Sequence, residues 1–245
     1  MKKEMIADKM VSLVKNSSAI RAMFEEGKIL AAKYGAENVY DFSLGNPNVP
    51  APVQVKEAII EELNKEDPVV LHGYMNNSGY EDVRDAIAQS INKKFDTAFT
   101  EKNIIMTVGA AGGLNVILKT LLNPGDEVIA IAPYFGEYNS YVSNYDGKIV
   151  VVSPNTVDFQ PNLEEMEQKI TAKTKAVIIN SPNNPTGVVY SEATIMKMAD
   201  MLRAKQKEFG TDIYLISDEP YRELAYDGVE VPYLTKYYEN AIIGY

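Results

Sequence analysis

Five groups of residues in this chain are of types that do chemistry, and each follows a short apolar run. Gly109 to Gly113 (Gly-Ala-Ala-Gly-Gly) opens a predicted helix. Small residues at a helix start let backbone N–H groups approach an anion, and the helix dipole adds to the attraction. The spacing fits neither the dinucleotide nor the Walker pattern, and tight packing of a helix on a sheet would call for the same small residues. Tyr134 and Phe135 follow the next run; either ring could stack on a planar ligand or simply fill a core. Asn184, in the proline-rich turn Ser181 to Gly187, offers a fixed amide, or bonds its own backbone. Asp218 ends an apolar run, where an ionised carboxylate is expensive unless it meets a cation such as a protonated ring nitrogen; otherwise it caps a helix or pairs with a base. Tyr221, three residues on, can donate a phenolic hydrogen bond at the same place, although it is one of 16 tyrosines.

These groups need elements that bring them together. The runs at 104–106, 128–131, 149–152, 177–179 and 214–216 are continuously apolar, which suits strands covered on both faces, and amphipathic stretches between them supply crossover helices. The expected fold is α/β, a three-layer α/β/α sandwich around a mostly parallel sheet, incomplete at its C-terminal end. In such sheets ligands collect beyond the carboxyl ends of the strands, and four of the strand ends carry the residues named above. Upstream, Ser18 can cap a helix through Ile20, Met23, Phe24, Ile29 and Leu30 that Gly35 ends. A Gly- and Pro-rich path from Ser43 to Pro52 then leads into a helix over about Val53 to Leu63. Asn162 with Glu165 reads as a capped helix start.

Composition removes several classes of function. With 46% apolar residues among 245, the chain can bury a sizeable core. A net charge of -10 lacks the positive footprint that phosphate-backbone contacts need, so nucleic acid is not an expected partner. There is no cysteine, which excludes disulfides and thiolate chemistry, and the single histidine, His72, reads as structural; no metal site is expected. The charged start lacks the apolar core of a signal peptide, and no apolar stretch is long enough to span a bilayer, so no membrane partner is expected and the expected location is the cytoplasm.

Taken together, the motifs SLGNP (Ser43 to Pro47), YMNNSGYEDVR (Tyr74 to Arg84), TVGAAGGL (Thr107 to Leu114), APYFGEY (Ala132 to Tyr138), SPNNPTG (Ser181 to Gly187) and DEPY (Asp218 to Tyr221) resemble the class I/II aminotransferases, pyridoxal-phosphate (PLP) enzymes of fold type I. SPNNPTG followed by DEPY is the most specific part, and the likeness covers essentially the whole chain. The resemblance implies that backbone amides of Ala110 and Ala111 bind the PLP phosphate and that Phe135 stacks on the pyridine ring. Asn184 and Tyr221 would bond the ring hydroxyl, and Asp218 would pair with the pyridinium nitrogen. Tyr74 would reach the phosphate of a neighbouring subunit, which implies a homodimer with shared sites. Gly45 would lie near the substrate carboxylate, with Asn184 also on the substrate side, while Arg84 is read as structural. The implied domains are an N-terminal arm with part of a small domain over 1–45, and the N-terminal part of a large PLP-binding domain over 46–245.

The implied activity is transfer of an amino group between an α-amino acid and a 2-oxo acid. A carbon–sulfur β-lyase, or a PLP-binding or dimerisation module without catalysis, are the other readings. The lysine that would bond PLP covalently and move the proton is expected just after Tyr245, so the 245-residue chain by itself is expected to be inactive.

Overall fold

The computed structural model describes residues 5–15, 19–42, 45, 49–65 and 67–245. The Ser18 cap and all of SLGNP except Gly45 lie outside the described residues. The chain divides into two compact units, Met1–Tyr74 and Met75–Tyr245. This division by compactness is a different partition from the family-based boundary after residue 45.

The first unit is helical: α1 (Asp8–Lys15), α2 (Ala19–Tyr34), α3 (Val53–Lys65) and the short α4 (Pro68–Leu71). Helix α2 stops where predicted, because Gly35 takes φ +91°, a conformation that L side chains rarely adopt. Asp67 caps α4 by accepting from the Val69 N–H at 2.7 Å, with Pro68 in the first turn where its missing N–H costs nothing.

The second unit holds α5 (Glu81–Phe95), α6 (Gly109–Leu121), β1 (Glu127–Ile131), α7 (Tyr138–Ser143), β2 (Lys148–Val152), α8 (Leu163–Lys169), β3 (Thr174–Asn180), α9 (Glu192–Phe209), β4 (Tyr214–Asp218) and β5 (Ala241–Gly244). All five strands are parallel, in the order β2-β1-β3-β4-β5. Alternation along the strands divides their side chains between two cores. Ile129, Val177, Ile179 and Leu215 pack with Met166 of α8 and Ile195, Met198 and Leu202 of α9. Val128, Ala176, Ile178 and Ile216 pack with Leu114 and Leu118 of α6 and Tyr138 and Val142 of α7. Helices thus cover both faces of the sheet, as the apolar runs required of β1, β3 and β4; the run at 149–152 instead forms the edge strand β2, where Val151 is 39% exposed. Asn162 caps α8 as read from the sequence, accepting from the Glu165 N–H at 3.1 Å. No helix among the described residues is long and apolar enough to cross a membrane.

One strand expectation fails. Residues 104–106 pair with no strand among the described residues, and Ile105 is 63% exposed. The segment is fixed instead by single bonds: Met106 N–H donates to the Ser78 carbonyl at 3.0 Å, and Arg84 Nη1 donates to the carbonyls of Glu101 and Ile104 at 2.6 and 3.4 Å. A run of three apolar residues satisfies the composition of a strand without supplying a ladder. Arg84 is therefore a brace, as the sequence suggested.

Candidate active site

The strand order reverses direction between β1 and β3, and in open parallel sheets the crevice for ligands lies at such a switch point. A cleft of about 210 Å³ opens there, lined by Ala110, Ala111 and Leu114 from α6, Phe135 after β1, Tyr141 of α7, Asn180 and Asn184 at the end of β3, and Asp218, Pro220 and Tyr221 at the end of β4. Six residues singled out in the sequence, Ala110, Ala111, Phe135, Asn184, Asp218 and Tyr221, thus share one cavity. Gly45 and Tyr74 belong to the first unit; both are exposed.

The start of α6 is left without a side-chain cap among the described residues. Gly109 takes φ +69°, which turns the chain into the helix. Thr107 Oγ1 donates to the Gly109 carbonyl at 3.1 Å, and a Cβ on Gly113 would come within 3.2 Å of Thr107 Oγ1. The close approach at Gly113 bears out the packing reading of this segment.

Of the two aromatic candidates, Phe135 lines the cleft and Tyr134 does not. The Tyr134 ring lies parallel to Tyr138 with centroids 6.2 Å apart, and Phe135 meets Tyr138 edge-on at 5.7 Å.

The turn after β3 is built by its own polar side chains. Asn183 Oδ1 accepts from the Thr186 N–H and hydroxyl at 3.2 and 2.9 Å, and Gly187 at φ +73° lets the chain return. Asn180 Oδ1 accepts from the Asn184 N–H at 2.5 Å, which fixes Asn184 with its amide 3.4 Å from the Tyr221 hydroxyl.

Register sets Asp218. Asn180 and Asp218 are partners at the ends of β3 and β4, and Asn180 Nδ2 donates to the Asp218 carbonyl at 2.7 Å. The Asp218 carboxylate is buried; Tyr138 donates its hydroxyl to Oδ2 at 2.7 Å, and Oδ1 has no hydrogen-bond partner among the described residues. Burial pushes the Asp218 carboxyl above the ordinary range; the Tyr138 hydrogen bond opposes this and the Glu219 charge adds to it. The Tyr138 phenol is itself pushed far up, first by burial and then by the Asp218 charge, so it remains a donor at any physiological pH. Burial also raises Tyr141, helped by Glu137 and Asp218.

An unpaired buried carboxylate oxygen beside an aromatic ring, two amides, a phenol and an open helix start can hold a flat ligand bearing both an anion and a protonated ring nitrogen. Sequence reading had passed over Asn180, Tyr138 and Tyr141. A polar residue ending an otherwise apolar run was the available signal for Asn180. Tyr138 stood inside APYFGEY without an assigned task.

Fold and cleft together define an α/β domain of parallel-sheet type with a candidate ligand cleft at the switch point. Residues 37–244 match the family described as aminotransferase class I and II, and the chain belongs to that family. It is 37% identical over 186 residues to a probable aspartate/prephenate aminotransferase of Thermus aquaticus, covering 75% of this chain and 46% of that protein. To the aspartate aminotransferase of Thermotoga maritima it is 34% identical over 207 residues, 84% of this chain and 52% of the relative. A crystal structure of an aminotransferase from Eubacterium rectale superimposes with a TM-score of 0.94 at 46% identity, covering 98% of this chain and 61% of that one. The chain spans about half the length of the curated relatives it matches.

Proposed function

We propose that this cleft binds PLP and that the whole protein uses it to move an amino group between an α-amino acid and a 2-oxo acid. The observation that carries the reading is Asp218, which lines the cleft and whose buried Oδ1 has no hydrogen-bond partner among the described residues. A protonated pyridine nitrogen supplies the missing donor and the compensating positive charge. Bound there, PLP supplies an electron sink for the charge left when a proton leaves a substrate carbon.

The chain's own residues then have separable tasks. Asp218 keeps the ring nitrogen protonated. Backbone N–H groups of Ala110 and Ala111 receive the phosphate, Phe135 covers one face of the ring, and Asn184 and Tyr221 donate to the ring oxygen. In the same reading Asn184 and Gly45 contribute on the substrate side, Gly45 near its carboxylate. Tyr74, fully exposed in its own unit, serves the phosphate of a second copy in a homodimer. The domain boundary after residue 45 belongs to this proposal too. Because the Thermus aquaticus and Thermotoga maritima relatives are named for aspartate, aspartate is the first amino donor to test.

The deciding experiment is equilibrium dialysis of the protein against PLP, followed for the whole protein by conversion of aspartate and 2-oxoglutarate. Saturable uptake of one PLP per chain that falls at least about tenfold in Asp218→Ala, as loss of a buried charge pair requires, is expected. No saturable uptake would sink the proposal.

A further inference from the structure

A second pair of buried charges lies in the same turn as Asp218 but does not line the cleft. Glu219 and Arg222 are 3% and 6% exposed, and Arg222 Nε donates to the Glu219 carboxylate. Ser217 Oγ donates to Glu219 Oε1 at 2.7 Å. The remaining guanidinium nitrogens donate to the carbonyls of Val231 and Pro232 at 2.7 and 2.9 Å. The guanidinium also stands 5.1 and 5.2 Å from the rings of Phe95 and Tyr233.

Each guanidinium nitrogen and each carboxylate oxygen of the pair has a hydrogen-bond partner, yet a buried ion pair is weak evidence for stability, because apolar side chains of the same volume often do as well. Position suggests a different use. Glu219 adjoins Asp218 in the chain, and the pair brackets Tyr221. Burial already works against the charge on Asp218, and an uncompensated carboxylate one residue away would work against it further.

We propose that Arg222 is a positioning residue that acts on Asp218 through Glu219: by pairing with the neighbouring carboxylate it offsets part of the negative charge that would otherwise oppose the charge on Asp218. The inference rests on the proposed role of Asp218 toward PLP. The other groups that face Asp218 are the phenols of Tyr138 and Tyr141 from α7, the Tyr221 phenol, and the uncharged amides of Asn180 and Asn184; α6 presents only alanine and leucine side chains to the cleft. Among the groups named, Glu219 is thus the one carboxylate that acts on Asp218, and Arg222 is the base paired with it.

The test is the titration of Asp218 by carboxyl-carbon NMR in aspartate-labelled protein without PLP, assigned by its loss in Asp218→Asn. Arg222→Gln is expected to move the midpoint up by about one pH unit, the effect of a close like charge. The double variant Glu219→Gln/Arg222→Gln should return it close to the starting value, and Arg222→Lys should leave it nearly unmoved. An unchanged midpoint in Arg222→Gln, or a double variant displaced as far as the single one, overturns the proposal in favour of a packing role. Should Arg222→Gln fail to fold, Glu219→Gln alone decides: a lowered midpoint supports the proposal, and an unmoved one overturns it. Equilibrium dialysis of the unaltered protein against PLP separates the two claims, since absent PLP uptake refutes the functional reading whereas the NMR midpoints judge Arg222 independently.

Discussion

Tyr138 and Asp218, 80 positions apart in the chain, are joined by a 2.7 Å hydrogen bond from the phenol to Oδ2, and this bond leaves Oδ1 as the oxygen without a partner among the described residues. One oxygen is held by Tyr138, and the other is buried in a residue that lines the cleft. The same phenol is packed against Tyr134 and Phe135, so the ring that lines the cleft and the carboxylate that lines it are held by one side chain.

Removing that hydroxyl should be felt in the fold. Tyr138→Phe keeps the ring and its packing but leaves Asp218 with neither oxygen bonded, at a cost of about 1.5–3 kcal/mol for a hydrogen bond to a charged group. Urea unfolding at neutral pH measures it; a loss below about 0.5 kcal/mol would mean that solvent replaces the phenol.

Asp218 should make the protein without PLP less stable as pH rises. Burial holds its carboxyl above the ordinary range, so the folded state binds this proton more tightly than the unfolded state does. The penalty is absent below the ordinary carboxylate range, grows as pH rises through it toward the folded value, and is constant above that. Asp218→Asn removes the penalty. It should be more stable than the unaltered protein at pH 7 and closely matched to it at acid pH, read from urea midpoints at both. A difference that does not change with pH would contradict this account.

Gly109 and Gly112 should respond in opposite ways to alanine. Gly109 has φ +69° with open space around its Cβ position, so Gly109→Ala costs about 1–2 kcal/mol in backbone strain alone, and PLP uptake should weaken as the first turn shifts. A Cβ on Gly112 meets only Val108 at 3.7 Å, ordinary contact, so Gly112→Ala should gain up to about 1 kcal/mol of helix propensity. Unfolding of the two variants compared side by side checks the contrast.

Arg84 should matter for stability without mattering for the site. Arg84→Met removes the donors to the carbonyls of Gly79, Glu101 and Ile104, at about 1 kcal/mol each. PLP uptake by the folded variant should stay within about twofold of the unaltered protein, a change worth only about 0.4 kcal/mol. A large loss of uptake would assign Arg84 to the site.

The sequence by itself determined which segments become buried strands and which chemistry each strand end carries. Three runs of consecutive apolar residues, those of β1, β3 and β4, are satisfied by a sheet covered on both faces, and a parallel sheet delivers all its carboxyl ends to one side. Phe135, Asn184, Asp218 and Tyr221 were therefore legible as one site before any coordinate. The run at 104–106 misled because strand composition says nothing about whether a pairing partner exists. What only the tertiary structure decided is how that site is held: the pairing of Asn180 with Asp218, the reach of Tyr138 to Oδ2, and the closure of Glu219 by Arg222. The first two depend on register between strands and on the depth at which a helix packs, which are set by the whole core rather than by local spacing. The third is local in sequence, but its meaning depends on burial, because the same Glu and Arg three residues apart on an exposed turn would be a screened surface pair of little consequence.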